Sequence, residues 1–214
     1  MKILVIAGHG ENDCGAVGNG CKEATLTREL ANLLKAELSF YADVTLFDVN
    51  KNMYQYLKKN SFNFKSYNYV IELHFNAGGG KGCEVLVHPT EKGVSVEKAI
   101  CENVTKLGFK NRGIKRRSDL QNMNICKKQG VSYALIETCF IDSKSDMALY
   151  TKNKKAVAKA ISNGVISGFG LQNDFETAKK TVQTKAGLTD ATMEYLLSYS
   201  SGKALINKLA KAMK

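Results

Sequence analysis

Short apolar runs that alternate with amphipathic helical segments most strongly limit how residues 1–170 can fold. The runs that indicate strands are Lys2–Ala7, Asp43–Phe47, Tyr67–Asn76, Cys83–His88 and Tyr133–Phe140. The segments with helical spacing are Glu23–Leu38, Lys51–Lys59, Val94–Leu107 and Lys154–Phe169. This alternation predicts an α/β domain with a mainly parallel, twisted sheet and helices on both faces. We expect Cys83–His88 to pair beside Tyr67–Asn76, and Arg112–Asp119 to form a basic loop.

The pattern changes near Gly170, where strand-like runs give way to short helical segments. These are approximately Asp174–Ala186, Asp190–Tyr199 and Gly202–Met213, with Thr189 or Asp190 able to cap the middle one. We therefore expect one domain over 1–171 and a small all-helical segment over 172–214. Because so short a tail has little core of its own, we expect its stable folding to need a partner or the main domain.

The charge balance is the unusual feature of the composition. The formal net charge is +11, with 31 Lys and Arg against 20 Asp and Glu, while 44% of residues are hydrophobic, as in a globular protein. Seven lysines against four acidic residues give the tail +3, which leaves +8 for residues 1–172. Such a surplus attracts polyanions, whether nucleic acid, an anionic membrane or an anionic cell wall. Arginine occurs only at 28, 112, 116 and 117, which argues against sequence-specific DNA recognition.

Cysteine usage and the N-terminus bear on the compartment. The six cysteines form no CxxC pair, so a structural zinc site is not indicated, and the length of the chain argues against a disulfide framework. Cys101 and Cys139 lie in apolar stretches and are predicted to be buried thiols, as in a reducing compartment. The first apolar run, Ile3–Ala7, is shorter than a signal-peptide core, and no run is long enough to span a bilayer. We expect synthesis in the cytoplasm without a signal peptide, and no membrane insertion.

Three histidines are present, and two of them lie where predicted strands end. His9 follows the first strand and His74 lies near the end of the third, while Glu137 occupies the corresponding part of Tyr133–Phe140. Ligand sites of parallel sheets form beyond the carboxyl ends of the strands, so these side chains are expected to share one crevice. Two histidines with carboxylates suit zinc. Glu23 heads the first helix, and Glu72 shares a strand face with His74, so both are candidate carboxylates.

Two further observations refine this set. A carboxylate in an apolar strand, such as Glu137, is costly to bury without a partner, which favours a functional role. His88 precedes the single proline at a strand end and is predicted to be a surface residue.

Five motifs together carry a resemblance to a known family. They are AGHG at 7–10, a Glu at 23, ELHFNA at 72–77, KNRGIK at 110–115 and ALIETCFID at 134–142. In this order and spacing the chain resembles the zinc-dependent N-acetylmuramoyl-L-alanine amidases of the amidase-3 family, including phage endolysins of clostridial type. The resemblance covers about residues 1–170 and leaves out the tail.

The resemblance implies a role for each matching residue. His9, Glu23 and His74 would hold one zinc ion, which activates the attacking water, and Glu137 would be the catalytic carboxylate. The bond cleaved would join the lactyl group of N-acetylmuramic acid to the L-alanine of the stem peptide. Asn76 and Arg112 are candidates for orienting the substrate.

Some ligand alternatives remain open beside this assignment. The family's ligand Glu heads the first helix, which favours Glu23 over Glu72, and Glu29 becomes a candidate only under a shifted alignment. Cys14 and Cys21 lie in the loop before that helix and offer two further metal-binding side chains that the family does not require.

The resemblance also implies a setting. An enzyme made in the host cytoplasm without a signal peptide and then released to the wall of a Gram-positive host fits a phage endolysin. Its partners would be peptidoglycan and anionic wall polymers rather than nucleic acid. The tail would serve wall targeting or self-association into a homo-oligomer, or be a structural appendage. The rival functions are a zinc peptidase that cuts the stem peptide and a basic nucleic-acid-binding module using RGIKRR at 112–117.

Overall fold

A mainly parallel sheet forms the centre of the first part of the chain. The computed structural model describes residues 1–172 and 175–213, which divide into two units, Met1–Gly170 and Leu171–Lys214. The strands are β1 (Lys2–Ala7), β2 (Val17–Gly18), β3 (Cys21–Lys22), β4 (Asp43–Leu46), β5 (Tyr69–Asn76), β6 (Cys83–Val87), β7 (Asn111–Arg116) and β8 (Ser132–Phe140). The helices are α1 (Glu23–Leu38), α2 (Met53–Lys59), α3 (Ser95–Thr105), α4 (Gln121–Lys128), α5 (Lys144–Phe169), α6 (Phe175–Lys185), α7 (Asp190–Ser198) and α8 (Gly202–Ala212).

Within the described residues, six strands form one sheet in the order β4-β1-β5-β8-β6-β7, and β2 pairs with β3 in a small hairpin. All neighbours in the large sheet are parallel except β6 and β8, which run antiparallel. β1 is buried from its second residue onward, and β5 and β6 are buried over most or all of their length. Continuous apolar runs of this kind are typical of strands covered on both faces.

Helices cover both faces of this sheet, as predicted. On one face, Leu4 and Ile6 of β1 pack in a cluster with Met53 of α2 and Met123 of α4. On the other face, the ring of Phe75 in β5 packs edge-on against Tyr150 of α5, with 4.8 Å between centroids. The predicted α/β class with a mainly parallel sheet is confirmed.

The neighbour predicted for β6 is wrong. Residues 83–88 were expected to pair beside β5, but β8 lies between the two strands, and β6 pairs with β8 and β7. The intervening glycine-rich loop is anchored after β8 instead. The Asp142 carboxylate accepts hydrogen bonds from Gly78 N and Gly79 N, both at 2.8 Å. β8 is therefore the strand that lies directly beside β5.

The basic loop expected at 112–119 is also wrong over most of its length. Asn111–Arg116 forms β7, which pairs in parallel with β6 at the edge of the sheet. Lysine and arginine are common on edge strands, where they discourage pairing with other chains, so a charged composition does not exclude a strand. α5 also begins ten residues earlier than predicted, at Lys144, where the Ser143 side chain caps it, and it kinks at Asn153.

The second unit has its own small core. Its described helices α6, α7 and α8 bury a cluster formed by Phe175, Ala178, Val182, Met193, Ile206 and Ala210. Of the two caps that the sequence allows, Thr189 is the one that caps α7, by accepting a hydrogen bond from Thr192 N. The expected start of the first tail helix, at Asp174, lies outside the described residues.

Candidate metal centre

Three side chains from different elements meet at the carboxyl ends of β1 and β5. His9 lies two residues beyond β1, Glu23 is the first residue of α1, and His74 lies near the end of β5. One ligand atom from each lies within 4.8 Å of the others. The sequence prediction that strand ends bring His9 and His74 into one crevice therefore agrees with the geometry.

Glu23 lies between the two imidazoles and uses one oxygen for each. Its Oε2 is 3.1 Å from His9 Nε2, and its Oε1 is 3.0 Å from His74 Nδ1. Glu23 is buried, and its carboxylate also accepts hydrogen bonds from Phe75 N at 2.9 Å and Ala16 N at 2.9 Å. These contacts fix the carboxylate against both rings.

The loop that carries His9 is held in an uncommon conformation. His9 has φ 61°, in the left-handed region that non-glycine residues rarely occupy. The Arg28 guanidinium donates to His9 O at 2.8 Å and to Gly8 O at 3.0 Å, and also to Val49 O at 2.7 Å. Gly10 leaves the space for this guanidinium, since a Cβ there would lie 1.6 Å from Arg28 Nη2. Sequence reasoning missed Arg28, although an arginine in the first helix of a chain with so few arginines was a usable signal.

A second residue that the sequence analysis missed supports the His9 ring. Asp13 Oδ2 is 2.8 Å from His9 Nδ1, the nitrogen that faces away from Glu23. Asp13 is itself held by Gly15 N at 2.9 Å and by Asn52 Nδ2 at 3.1 Å. A carboxylate behind a histidine is the usual support for a metal-binding imidazole.

The pKa shifts of Glu23, His74 and His9 show that positive charge is favoured at this cluster. Burial raises the pKa of a carboxyl group, yet hydrogen bonds from His74 and His9 bring the pKa of Glu23 well below its ordinary value. Burial lowers the pKa of an imidazole, yet the bonds to Glu23 and Glu72 raise the pKa of His74 well above its ordinary value. Burial also lowers the pKa of His9, but its contacts, chiefly the hydrogen bond with Glu23, raise this pKa above its ordinary value. A cation bound there would take the place of these imidazolium charges.

The donor set fits a catalytic zinc ion. Two imidazole nitrogens and one carboxylate are ligands that zinc prefers, and catalytic sites use three protein ligands with an open position. The other candidate ligands lie elsewhere. Glu29 forms an ion pair with Lys154 at 2.8 Å, and neither Cys14 nor Cys21 belongs to the group.

Glu137 lies next to this group on β8. It is the register partner of His74 on β5, and Glu84 on β6 is its partner on the other side. Its Oε2 atom is buried and has no hydrogen-bond partner among the described residues. Burial, opposed by the charge of His74, raises the pKa of Glu137 to about 7. A carboxyl group with this pKa can both take up and release a proton near neutral pH.

The two predicted substrate-binding residues are joined through a third residue, Glu84. Asn76 Nδ2 donates to Glu84 Oε1 at 2.8 Å, and Arg112 Nε donates to Glu84 Oε2 at 2.8 Å. The Arg112 guanidinium also lies over the Phe140 ring, 4.9 Å from its centroid. Sequence reasoning missed Glu84, a buried carboxylate in an apolar strand, which is the same signal that indicated Glu137.

The remaining candidates are placed as follows. His88 is half-buried directly after β6, where its Nδ1 contacts Thr90 Oγ1 at 2.8 Å. Glu72 lies on the far side of the His74 ring from Glu23, with its Oε1 at 3.0 Å from His74 Nε2. Cys101 and Cys139 are buried, as predicted.

A groove of about 280 Å³ opens beside the two histidines. Its walls combine apolar and polar side chains from α2, α4, β8 and the residues that directly precede the two helices, among them Asn52, Tyr54, Leu120, Gln121, Tyr133 and Leu135. This mixture suits a ligand that has both amide groups and small apolar side chains.

The comparisons with known proteins agree on one family. A family model described as N-acetylmuramoyl-L-alanine amidase matches residues 3–167. The sporulation-specific N-acetylmuramoyl-L-alanine amidase of Bacillus subtilis is 28% identical over 213 residues, covering 95% of this chain and 82% of that protein. A Staphylococcus aureus protein named Probable autolysin PH is 31% identical over 213 residues, covering 88% of this chain and 44% of that protein. The chain thus spans less than half the length of this relative.

A solved structure extends the likeness to the fold. The catalytic domain of the CD27L endolysin targeting Clostridia Difficile has a TM-score of 0.64 and 30% identity. The match covers 78% of this chain and 97% of that one. In residues 1–172 and 175–213, none of the helices has the length and hydropathy needed to cross a membrane.

Proposed function

This chain belongs to the N-acetylmuramoyl-L-alanine amidase family, and we propose that it is a zinc-dependent peptidoglycan amidase. The bond it cleaves joins N-acetylmuramic acid to the L-alanine of the stem peptide. The observation that carries the proposal is the junction of His9, Glu23 and His74, with Glu137 in register with His74. It supplies both a ligand set for one zinc ion and a carboxyl group for proton transfer.

The residues of the chain divide the chemistry between them. His9, His74 and Glu23 would hold the metal, through His9 Nε2, His74 Nδ1 and a Glu23 oxygen. When bound, zinc supplies Lewis acidity, which polarises the amide carbonyl and makes water a better nucleophile. Glu137 takes the proton of the attacking water on its unpartnered Oε2 and then delivers it to the departing nitrogen of L-alanine. Its pKa of about 7 suits both steps.

Asn76 and Arg112 orient the substrate in this proposal. Glu84 binds the Nε of Arg112, and Phe140 supports the face of the guanidinium, so the side chain is held in one place while remaining partly exposed. The other guanidinium nitrogens are then available to a carboxylate or carbonyl of the stem peptide.

The setting we propose is lysis of a Gram-positive host by a phage, with the wall as the place of action. The support is the likeness to the endolysin catalytic domain. Long-range attraction between the net charge of +11 and anionic wall polymers would assist binding to the wall. For the second unit we propose wall targeting or self-association, since Tyr195 of α7 and Tyr199, directly after this helix, are both exposed.

Mass spectrometry of digested Gram-positive cell walls tests the proposed reaction. We expect intact stem peptides with a free amino-terminal L-alanine, formed only with zinc present and strongly reduced in digests with Glu137→Gln. A cut within the peptide would replace the amidase with a zinc peptidase. Salt-dependent binding of DNA by a protein that takes up no zinc would favour a nucleic-acid-binding module.

A further inference from the structure

Glu72 is a buried carboxylate beside the metal centre whose role the proposed reaction leaves unexplained. The residue is 5% exposed, and each of its side-chain hydrogen-bond partners, on His74, Asn122 and Tyr133, is able to donate. Its Oε1 is 3.0 Å from His74 Nε2, while its Oε2 accepts from Asn122 Nδ2 at 2.8 Å and from Tyr133 Oη at 2.6 Å. Donors from β5, α4 and β8 therefore converge on this one side chain.

This environment holds Glu72 as an acceptor. A buried carboxylate is costly unless hydrogen bonds satisfy it, and Asn122 and Tyr133 satisfy one of its oxygens. The other oxygen remains for His74 Nε2, which must carry a proton for this contact to be a hydrogen bond. Glu72 thus selects one of the two neutral forms of the His74 imidazole.

The two histidines of the centre are supported in the same way. His9 has Glu23 at Nε2 and Asp13 at Nδ1, and His74 has Glu23 at Nδ1 and Glu72 at Nε2. In each ring, the nitrogen opposite Glu23 faces a second carboxylate. The nitrogens that face Glu23 are therefore the ones left to bind a cation.

We infer that Glu72 is a positioning residue that fixes the proton of His74 on Nε2, so that Nδ1 presents its lone pair to the metal. The inference rests on the metal centre proposed above. It also decides between the two carboxylates that the sequence left open as ligands. Glu72 acts through His74 from the far side of the ring, whereas Glu23 faces both imidazoles.

Glu72→Gln tests this role because an amide can donate as well as accept. The side-chain NH2 group can turn toward His74 Nε2 and favour the form with the proton on Nδ1, which cannot bind metal. We expect the zinc affinity, measured by competition with a chelator, to fall by about 10- to 100-fold. In the zinc-bound wild type, we expect ¹⁵N NMR of the His74 ring to show the proton on Nε2.

Glu97→Gln is the matched control. Glu97 is also a buried carboxylate that accepts a hydrogen bond from a tyrosine hydroxyl, that of Tyr69, but it contacts none of the proposed ligands. Its substitution should leave the zinc affinity unchanged. Tyr133→Phe removes one donor to Glu72 and retains its charge, and we expect a smaller loss in the same direction. If Glu72→Gln does not fold, Tyr133→Phe decides the question.

The outcomes separate this inference from the proposed function. A wild-type protein that binds no zinc overturns both. If the wild type binds zinc and both Glu72→Gln and Tyr133→Phe bind it with unchanged affinity, only the role of Glu72 is overturned. A ring in which zinc binds Nε2 also overturns that role.

Discussion

His74 and Glu137 are register partners on the adjacent parallel strands β5 and β8. Side chains at paired positions of neighbouring strands lie on the same face of a sheet, so the pairing brings a proposed metal ligand and a proposed proton acceptor together. Their separate roles follow from their surroundings. Glu23 contacts the His74 ring, while Glu137 Oε2 is buried with no hydrogen-bond partner among the described residues.

The first prediction concerns Glu137→Gln. The substitution keeps the shape of the side chain but removes its ability to accept a proton, so we expect hydrolysis of cell walls to fall by roughly 10²- to 10⁴-fold. Zinc content and zinc affinity should stay at wild-type values, because the cluster of donor atoms consists of His9, Glu23 and His74. Release of soluble peptides and metal analysis of the same sample measure both quantities.

Loss of zinc from Glu137→Gln would make Glu137 a ligand and would require the roles to be reassigned. Glu29→Gln is a suitable comparison. It replaces another carboxylate on the first unit, one that pairs with Lys154 and lies outside the cluster. It should leave both zinc binding and hydrolysis unchanged.

The second prediction concerns Arg112. Replacing it with alanine removes a cation that Glu84 and Phe140 hold in place, and a charged hydrogen bond of this kind contributes about 1.5–3 kcal/mol. We expect kcat/KM on a soluble muropeptide to fall by roughly 10- to 100-fold, mainly through a higher KM. Zinc affinity should not change.

Arg117→Ala provides the control for Arg112. Arg117 directly follows the same edge strand and pairs with Asp119, but it is exposed and contacts neither Glu84 nor Asn76. Its loss should leave KM unchanged. An equal loss of activity in both variants would show that general positive charge, rather than the position of Arg112, assists the substrate.

The extent to which the sequence predicted the fold depends on how local each signal is. β1 and β5 are evident from their own apolar residues, because a parallel strand that is buried on both faces appears in the sequence as a continuous apolar run. The position of β8 between β5 and β6 depends on pairing between distant segments, which no local pattern records. β7 was missed because an exposed edge strand has the composition of a loop.

The same distinction applies to the site. His9 and His74 were found because strand ends converge by topology, and Glu23 because it heads a helix. Arg28 and Glu84 were missed because their roles consist of contacts with distant parts of the chain. Arg28 binds backbone carbonyl groups of His9 and Val49, and Glu84 joins two other side chains. The only local signals were the rarity of arginine for Arg28 and the position of a carboxylate in an apolar strand for Glu84.

The third prediction concerns the pH dependence of stability. Burial raises the pKa of Glu97 above its ordinary value in the folded protein, despite the hydrogen bond from Tyr69. Below the unfolded pKa both states are protonated and Glu97 costs nothing. As the pH rises through the folded pKa, the wild type loses stability because the carboxylate must ionise where it is buried.

Glu97→Gln removes this loss. We expect the free energy of unfolding of the variant, relative to wild type, to increase between the unfolded and folded pKa values of Glu97 and then stay level. Urea titrations at a series of pH values measure the difference and cancel the other titrating groups. Parallel curves for the two proteins would show that Glu97 ionises as easily in the folded as in the unfolded state.

The last prediction concerns the division of labour between the two units. Of the net charge of +11, residues 1–172 carry +8 and the tail +3, so attraction to anionic wall polymers resides mainly in the first unit. Attraction between exposed charges weakens as salt shortens the Debye length from about 10 Å at 0.1 M to about 3 Å at 1 M. A chain that ends at Gly170 should therefore retain the salt-sensitive part of wall binding.

Contacts through Tyr195 and Tyr199 would resist salt, so binding at high salt should need the tail. Sedimentation with purified walls over a salt series separates the two parts, and light scattering gives the oligomeric state. If truncation changes neither wall binding nor oligomeric state, the tail has neither of the proposed roles.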